Sequence, residues 1–523
     1  MFITGDESTH FPHNLNLKLN RDFLVKEGVK EKMNLQLLVN DLEIESQVNG
    51  DIENIRIEGI ADSSLNVEKD FLFVAIKGFN SDGHEFIKEA IQKGASVIVG
   101  EEDISDSPIR YIKVKNSRKA LGTIAKNFYG DPSKNKLLIG ITGTNGKTTT
   151  SYLLKHILEK NGLSCSMIGT IQNVINGQVT QGVYTTPSSL VLQKLLSTSK
   201  DEVVIMEVSS HGLTQYRVEG LEFDYCLFTN LNHDHLDYHA SMEEYFQAKT
   251  LLFDKLKDNG QAIINTDDFW GEKLAIMLER KSKEVYAISQ SKDSHFKILN
   301  FNVEESAVSI KENNELHHIY SPMVGIHNLY NVTMAYATAK LLNISTKQIM
   351  ASLPEFTGVK GRFETLKLSN GVTVVVDYAH TPDAIFHCLR TARFRGAERV
   401  FHIFGFRGDR DSSKRQEMVS ITSELSDQYI LTLDDLNSVS HKDMVGTLEY
   451  ISTTFGNEKG TVIPDRTLAL KQVIEQSERG DWVIITGKGH EKYQQRYLLP
   501  TESDQDTITY IMNQEGNKRQ ILE

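Results

Sequence analysis

Cysteine, proline and long apolar runs are all scarce in this 523-residue chain, and each shortage excludes something. Only three cysteines are present, Cys165, Cys226 and Cys388, far apart and with no pair at metal-site spacing. That odd, sparse set argues against a disulfide scaffold and for a reducing compartment. Nine prolines among 523 residues leave no room for a collagen-like or proline-rich low-complexity chain. No apolar run approaches the ~18 residues a membrane span needs, so membrane insertion is not expected. The opening MFITGDESTHFPHNLNLKLNRDFLVKEG has no basic start followed by an apolar stretch, so no secretory leader is expected and a cytoplasmic location follows. Basic residues are outnumbered 57 to 70, a formal charge of −13 that argues against a nucleic-acid partner held by general charge attraction. A phosphate ligand remains open, because it needs only a local positive potential. The rest is ordinary for a globular protein, and the length suggests about three domains, each able to bury its own core.

Residues 1–32 are polar and weakly patterned and read as an extension, with Met33 a possible natural start. From 33 to 135 the chain alternates a buried strand (Phe71 to Ile76), a helix (His84 to Lys93, ended by Gly94) and another strand (Ser96 to Val99), which is an α/β unit. A second domain is expected over 136–357, with strands at Leu137–Ile141, Val203–Val208 and Tyr225–Thr229 in a mostly parallel sheet. The third, 358–523, carries strand patterns at Val372–Asp377, Val400–Phe404, Gln428–Leu433 and Trp482–Thr486, as in a doubly wound fold. The tail after about Thr501 is polar and expected to be loosely ordered.

The strongest local signal is Gly140-Ile-Thr-Gly-Thr-Asn-Gly-Lys-Thr-Thr149, entered by a strand and left by a helix. Glycines let backbone N–H groups curl around phosphate oxygens, and the helix N-terminus adds partial positive charge. Lys147 would reach the β- and γ-phosphates and Thr148 a magnesium ion. The strict phosphate-loop pattern would need glycine at Ile141, and the glycines here are Gly140, Gly143 and Gly146.

Two further clusters follow. Met206-Glu-Val-Ser-Ser-His-Gly212 closes an apolar strand whose end faces the same crevice in a parallel sheet, so Glu207 is a candidate magnesium ligand and His211 a ligand or phosphate contact. The segment His233–His239 packs three histidines and two aspartates into seven positions. Beside a phosphate loop, magnesium and nucleotide chemistry are favoured over zinc, with Asn230 and Asp234 near the γ-phosphate. Lys249, in Tyr245-Phe-Gln-Ala-Lys249, would pass for a surface lysine on spacing alone.

Taken in order, TGTNGKTTT, the TTP at Thr185–Pro187, EVSSHGLTQYRV, FTNLNHDHLDYH, YFQAK, GRFE, VVDYAHTPDA, GDRD and GKGHE resemble the Mur ligases, most closely the UDP-N-acetylmuramoyl-tripeptide synthetase branch. The resemblance implies a small N-terminal α/β domain for the uridine nucleotide, a central P-loop ATPase and a C-terminal Rossmann-like domain. It also implies an ATP-dependent ligase of peptidoglycan precursor synthesis, and hence of cell shape and division. Its substrates would be UDP-MurNAc-L-alanyl-D-glutamate, ATP and an amino acid, joined through an acyl phosphate, and a monomer is expected. Thr142, Gly143, Thr144, Asn145, Gly146, Lys147 and Thr148 would hold ATP, with Asn328, Asn331, Arg362, Asp377, Tyr378 and His380 at its adenosine end. Thr148, Glu207, His211 and a carbamylated Lys249 would bind Mg²⁺, and Lys147, Lys249 and His211 would carry the catalysis. Ser63, Thr185, Thr186, Ser209, Gln215 and Arg217 match positions for the UDP-sugar peptide, although Ser64 stands where the family usually has arginine. Phe79–His84 fits the uridine-side loop.

The incoming amino acid is where the chain departs most from the resemblance. Diaminopimelate-adding members carry Asp-Asn-Pro-Arg where this chain has Asp434-Asp435-Leu436-Asn437. Without that arginine, and with two acids suited to an ammonium, L-lysine is expected over meso-diaminopimelate. Asp434, Asp435 and Asn437, with Arg410, Gly487 and Glu491, would contact it. Lys360 replaces a common proline, and Phe406-Arg407 replaces small residues before Gly-Asp-Arg-Asp, which leaves open a second copy serving a specialised peptide. A related ligase with a folate-like or poly-amino-acid acceptor is the alternative activity. A non-catalytic nucleotide binder would be expected to have lost Lys147, Glu207 or Lys249, and all three are present.

Overall fold

The computed structural model describes residues 32–48, 54–78, 81–104, 107–291 and 294–522, with side chains to 514. The expected extension, apart from Lys32, lies outside the described residues, as do Phe79 and Asn80 of the uridine-side loop. The chain divides into two compact units, residues 1–132 with Ser189–Ser199, and Ser133–Ser188 with Lys200–Glu523.

The first unit is built on a five-stranded sheet, parallel except for its edge strand Ile44–Val48. The expected strands appear as Phe71–Val74 and Ala95–Gly100, and the expected helix as a 3₁₀ turn Gly83–Phe86 running into Ile87–Gln92. Its largest core joins Leu72, Val74, Val97 and Val99 to the apolar face of helix Ser117–Phe128, with Leu190 packed against it. Alternate residues of a strand share one face, so the same strands give Phe73 and Ile98 to a second, smaller core on the other face.

The second unit contains an eleven-stranded and a six-stranded sheet. The elements that build the site are labelled in chain order. In the larger sheet, β1 (Leu137–Thr142) runs parallel between β2 (Val203–Glu207) and β3 (Phe223–Phe228). These strands read as unbroken Val/Ile/Leu runs because both faces are covered. Helix α1 (Lys147–Lys160) follows β1, α2 (Met242–Thr250) follows β3, and α3 (Ile326–Leu341) packs against α1 in the same core. Antiparallel pairing appears only toward the two ends of this sheet. In the smaller sheet β4 (Thr373–Val376), β5 (Val400–Phe406), β6 (Gln428–Leu433) and β7 (Trp482–Ile485) are parallel in the order β4-β7-β5-β6. This is the mostly parallel, three-part α/β architecture expected from the sequence.

The tail differs from expectation. Residues Asp504–Leu522 form a helix, because Ile508 and Ile511 enter the core of the smaller sheet. Asp504 also pairs with Arg466, with both side chains fully buried and Nε–Oδ1 at 2.7 Å. A polar-looking segment is thus fixed by two apolar side chains one turn apart and one internal ion pair.

Candidate active site

In a parallel sheet, loops that leave the carboxyl ends of the strands converge on one crevice. Here the loops after β1, β2, β3 and β4 line a single cavity of about 600 Å³. The phosphate loop occupies its floor. Gly143 has φ +145°, and a Cβ there would sit 1.9 Å from Thr229 Oγ1. Gly146 has φ +88° and would collide with Asn331 Oδ1. Both glycines are therefore required by close approach as well as by backbone angle. Thr229 and Asn230 brace the loop from the end of β3: Thr229 Oγ1 donates to Asn145 O at 2.6 Å, and Asn145 N–H donates to Asn230 Oδ1 at 2.9 Å. Thr144 N–H donates to Asn230 O, and its hydroxyl meets Tyr245 OH at 3.2 Å. Thr142 ends β1 fully buried.

Lys147 curls back onto the loop and donates to Gly143 O and Thr144 O at 2.7 and 2.9 Å. Burial pushes its ammonium down to about 8. Thr148 donates to Glu207 Oε2 at 2.8 Å and receives Arg362 Nη2 at 3.2 Å. Glu207 is completely buried, and Thr170 supplies two more donors, N–H at 3.0 Å and Oγ1 at 2.9 Å. Among the described residues no ion pair engages this carboxylate. A buried, hydrogen-bonded carboxylate beside a hydroxyl is the donor chemistry of a hard divalent cation.

His211 begins the turn after β2 and lies tilted against Tyr238, with ring centroids 3.9 Å apart. Burial, then the neighbouring His239 and Arg410, push it down to about 4, so it is a neutral imidazole. Lys249, on α2, is not the surface lysine its spacing would suggest. It is 1% exposed and donates to Gly143 O at 2.9 Å. Burial, and then the charge of Lys147, push its amine well below the ordinary lysine value.

Along the same wall, Thr185, Ser209 and Arg217 line the cavity. Thr186 is buried behind them, between Ser209 Oγ at 3.2 Å and Arg217, which donates to Thr186 O and to Gln215 Oε1. Ser63 belongs to the first unit, where its hydroxyl caps the turn Ser64–Asn66. At the opposite end Asn328, Asn331, Arg362, Asp377, Tyr378 and His380 line the cavity. Asp377 spends both oxygens on backbone N–H groups, those of Phe363 and Ala379, and so holds the loop that carries Arg362. Asp234 is nearly buried and receives Lys414 at 2.7 Å and His380 at 3.3 Å.

The expected amino-acid residues gather beyond the carboxyl ends of β5, β6 and β7, but not as an open acidic pair. Asp435 receives Lys488 at 2.6 Å, and Asp434 lies 3.6 Å from the same ammonium and 3.7 Å from Arg407 Nε. Both acids are almost inaccessible, at 2% and 4% exposure. Burial alone would raise Asp434, yet Arg407 and Lys488 hold it below its ordinary value. Arg407 also donates to Glu491 and, at 3.3 Å, to Gly487 O, and it stacks over Tyr378 at 5.5 Å. Asn437, at φ +50°, turns its amide onto Gly408 O at 2.6 Å and so ties two loops together. Arg410 is half exposed, 3.7 Å from Asp237. A smaller cavity of about 90 Å³ lies here, lined by Tyr378, Arg407, Arg410, Lys414 and Asp434 among others.

Sequence reasoning assigned no role to Arg407, Lys488, Lys414 or Thr170. Lys488 lies inside the quoted Gly-Lys-Gly-His-Glu run, and Arg407 was visible as a departure from small residues. Nothing in the sequence signals Thr170.

Three family models match the chain: "Mur ligase family, catalytic domain" over 52–129, "Mur ligase middle domain" over 141–339 and "Mur ligase, glutamate ligase domain" over 361–489. The chain is 39% identical over 458 residues to a UDP-N-acetylmuramoyl-L-alanyl-D-glutamate–2,6-diaminopimelate ligase of Clostridium tetani, covering 86% of this chain and 92% of that one. It is 37% identical to the ligase of the same name from Fusobacterium nucleatum, covering 90% and 96%. Among solved structures, one of a ligase with that name superposes with a TM-score of 0.65 at 24% identity, covering 93% of this chain and 99% of the other. A MurF ligase from Thermotoga maritima in complex with ADP superposes at 0.64 and 20% identity, covering 88% and 98%. These two share the fold, and the curated relatives carry the assignment: the chain belongs to the Mur ligase family of ATP-dependent ligases.

Proposed function

We propose that this ligase adds an amino acid carrying a second carboxylate, meso-diaminopimelate, to UDP-N-acetylmuramoyl-L-alanyl-D-glutamate. The relatives named above are diaminopimelate ligases, which supports this reading. One observation carries it against lysine: Asp434 and Asp435, the acids that prompted the lysine expectation, are already held by the buried Lys488 ammonium, 2.6 Å from Asp435 and 3.6 Å from Asp434. A pair so compensated offers no free anion to a lysine ammonium, and opening a buried pair leaves an uncompensated charge.

The chemistry follows from the residues. A carboxylate is a poor electrophile, so the γ-phosphoryl group of ATP is transferred to it and the resulting acyl phosphate is attacked by the amine, releasing phosphate. Most of the catalysis is positioning and charge neutralisation. Loop N–H groups and Lys147 hold the phosphates, while Arg362 bridges from the smaller sheet to Thr148. Thr148, Glu207 and His211 would hold Mg²⁺, which supplies charge neutralisation on the phosphates when bound. Lys249 is the candidate for carbamylation, which the burial of its amine favours: the free amine would add to CO₂ and release one proton to solvent. The product anion would set a negative charge beside Lys147 and add a carboxylate-like ligand.

The test is phosphate release with ATP, Mg²⁺ and the UDP-dipeptide against a panel of amino acids. Turnover with meso-diaminopimelate and little with L-lysine is expected, and the reverse overturns the specificity. For Lys249, protein equilibrated with ¹³C-bicarbonate should show a carbamate carbon resonance that Lys249→Ala lacks. Its presence in both proteins would refute the assignment.

A further inference from the structure

We propose that Arg407 is the residue that selects the amino acid, by gripping the carboxylate at its side-chain end. The assignment rests on the preceding reading that the amino acid carries two carboxylates.

Such a substrate needs a fixed cation at the far end of its subsite, and four basic side chains line the small cavity there. Lys414 is committed to Asp234 at 2.7 Å. Arg415 turns its Nη2 onto Arg407 O at 3.0 Å, away from a ligand role. Arg410 is half exposed, and among the described residues its carboxylate partner is Asp237, 3.7 Å away, so it is not held in one fixed place. Arg407 alone is held on several sides: by Glu491, Gly487 O, the Tyr378 ring and Asp434. Its Nε is buried without a hydrogen-bond partner. A guanidinium presents Nε–H and an Nη–H as a parallel fork that fits one carboxylate. Here one tine is unused, and the Asp434 oxygen nearest it is beyond hydrogen-bond reach at 3.7 Å.

Position 437 cannot do this work, since Asn437 spends its amide on Gly408 O. Arg407 leaves the carboxyl end of β5, next to β6 in the sheet, so it reaches the same crevice from the neighbouring strand. The residues around it fit the rest of such a ligand. Glu491, now paired with Arg407, becomes available to an ammonium once the guanidinium takes the substrate carboxylate.

The experiment compares kcat/KM for meso-diaminopimelate and for its monoamide at the distal carboxyl, in the full-length enzyme and its variants. Wild type should prefer the diacid by about 100-fold, the range expected for a charge-assisted bidentate contact. Arg407→Met should bring that preference below about tenfold, mainly through KM for the diacid. Arg407→Lys, which keeps the charge next to Asp434 and Glu491 but not the fork, should fall between; it serves if the methionine variant does not fold. A wild-type enzyme indifferent to the amide, or variants that lose both substrates in equal proportion, would overturn the assignment and leave Arg407 a structural partner of Glu491. No turnover with either compound would instead sink the reading that the amino acid is diaminopimelate, on which this one stands.

Discussion

The two ends of the cavity are built on opposite principles. At the phosphate end, binding groups are mostly backbone: Gly143 and Gly146 admit close approach, Thr229 and Asn230 brace the loop, and few charges are neutralised in advance. At the amino-acid end, the buried Asp434, Asp435 and Lys488 and the half-buried Glu491 and Arg407 form a set of charges that compensate one another before any ligand arrives. The first arrangement is generic, since any nucleoside triphosphate presents the same oxygens. The second is particular, since on the proposed role of Arg407 moving one cation would redefine which ligand is accepted.

The sharpest way to break this contrast is at Lys147, the cation proposed to hold the phosphates. Lys147→Met should lower kcat by at least about 1,000-fold in a phosphate-release assay, in keeping with lost charge neutralisation at the transferring group, while leaving the melting temperature nearly unchanged. The opposite profile is expected at the other end. Asp435→Asn should destabilise by about 3–5 kcal/mol in urea unfolding, because Lys488 loses a buried partner; Asn145→Ala, at the phosphate loop, should cost about 1 kcal/mol or less. Equal losses for the two would erase the distinction. The smallest effect concerns pH. Burial would raise Asp234, but His380, His235 and Lys414 hold it well below its ordinary value. Its contribution is therefore present above the unfolded carboxylate pKa, near ~3.9, and is lost as pH falls through the folded value. The stability gap between wild type and Asp234→Asn should accordingly be widest near neutrality and narrow on acidification; a gap that grows in acid would show the ion pair is not its source.

That contrast also explains what could be read from the amino-acid sequence. The phosphate loop, Glu207 and His211 were legible because each follows or ends an apolar strand of one parallel sheet, and such strand ends share a crevice. The strand patterns at Val203, Val400, Gln428 and Trp482 were legible for the same reason, as unbroken apolar runs. Lys249 was not, because its burial depends on packing against Gly143, 106 positions away. Asp434 and Asp435 were seen but misjudged: their partners, Lys488 and Arg407, come from other strands, and residue spacing carries no record of which charges meet in the folded chain. The tail was misjudged on similar grounds, since the fully buried partner of Asp504 is Arg466, 38 residues earlier.

The helix Ser189–Thr198 has one more consequence. It lies in sequence between strands of the larger sheet, yet it completes the first unit, where Leu190 covers the core beside helix Ser117–Phe128. During synthesis the amino-terminal unit therefore cannot finish assembling when residue 132 leaves the ribosome. It must wait for some 70 further residues, through β1, the phosphate loop and α1. A fragment cut after the first sheet would leave that apolar face bare and prone to self-association, whereas one that brings its own copy of residues 189–199, rejoined by a short linker, should stay soluble.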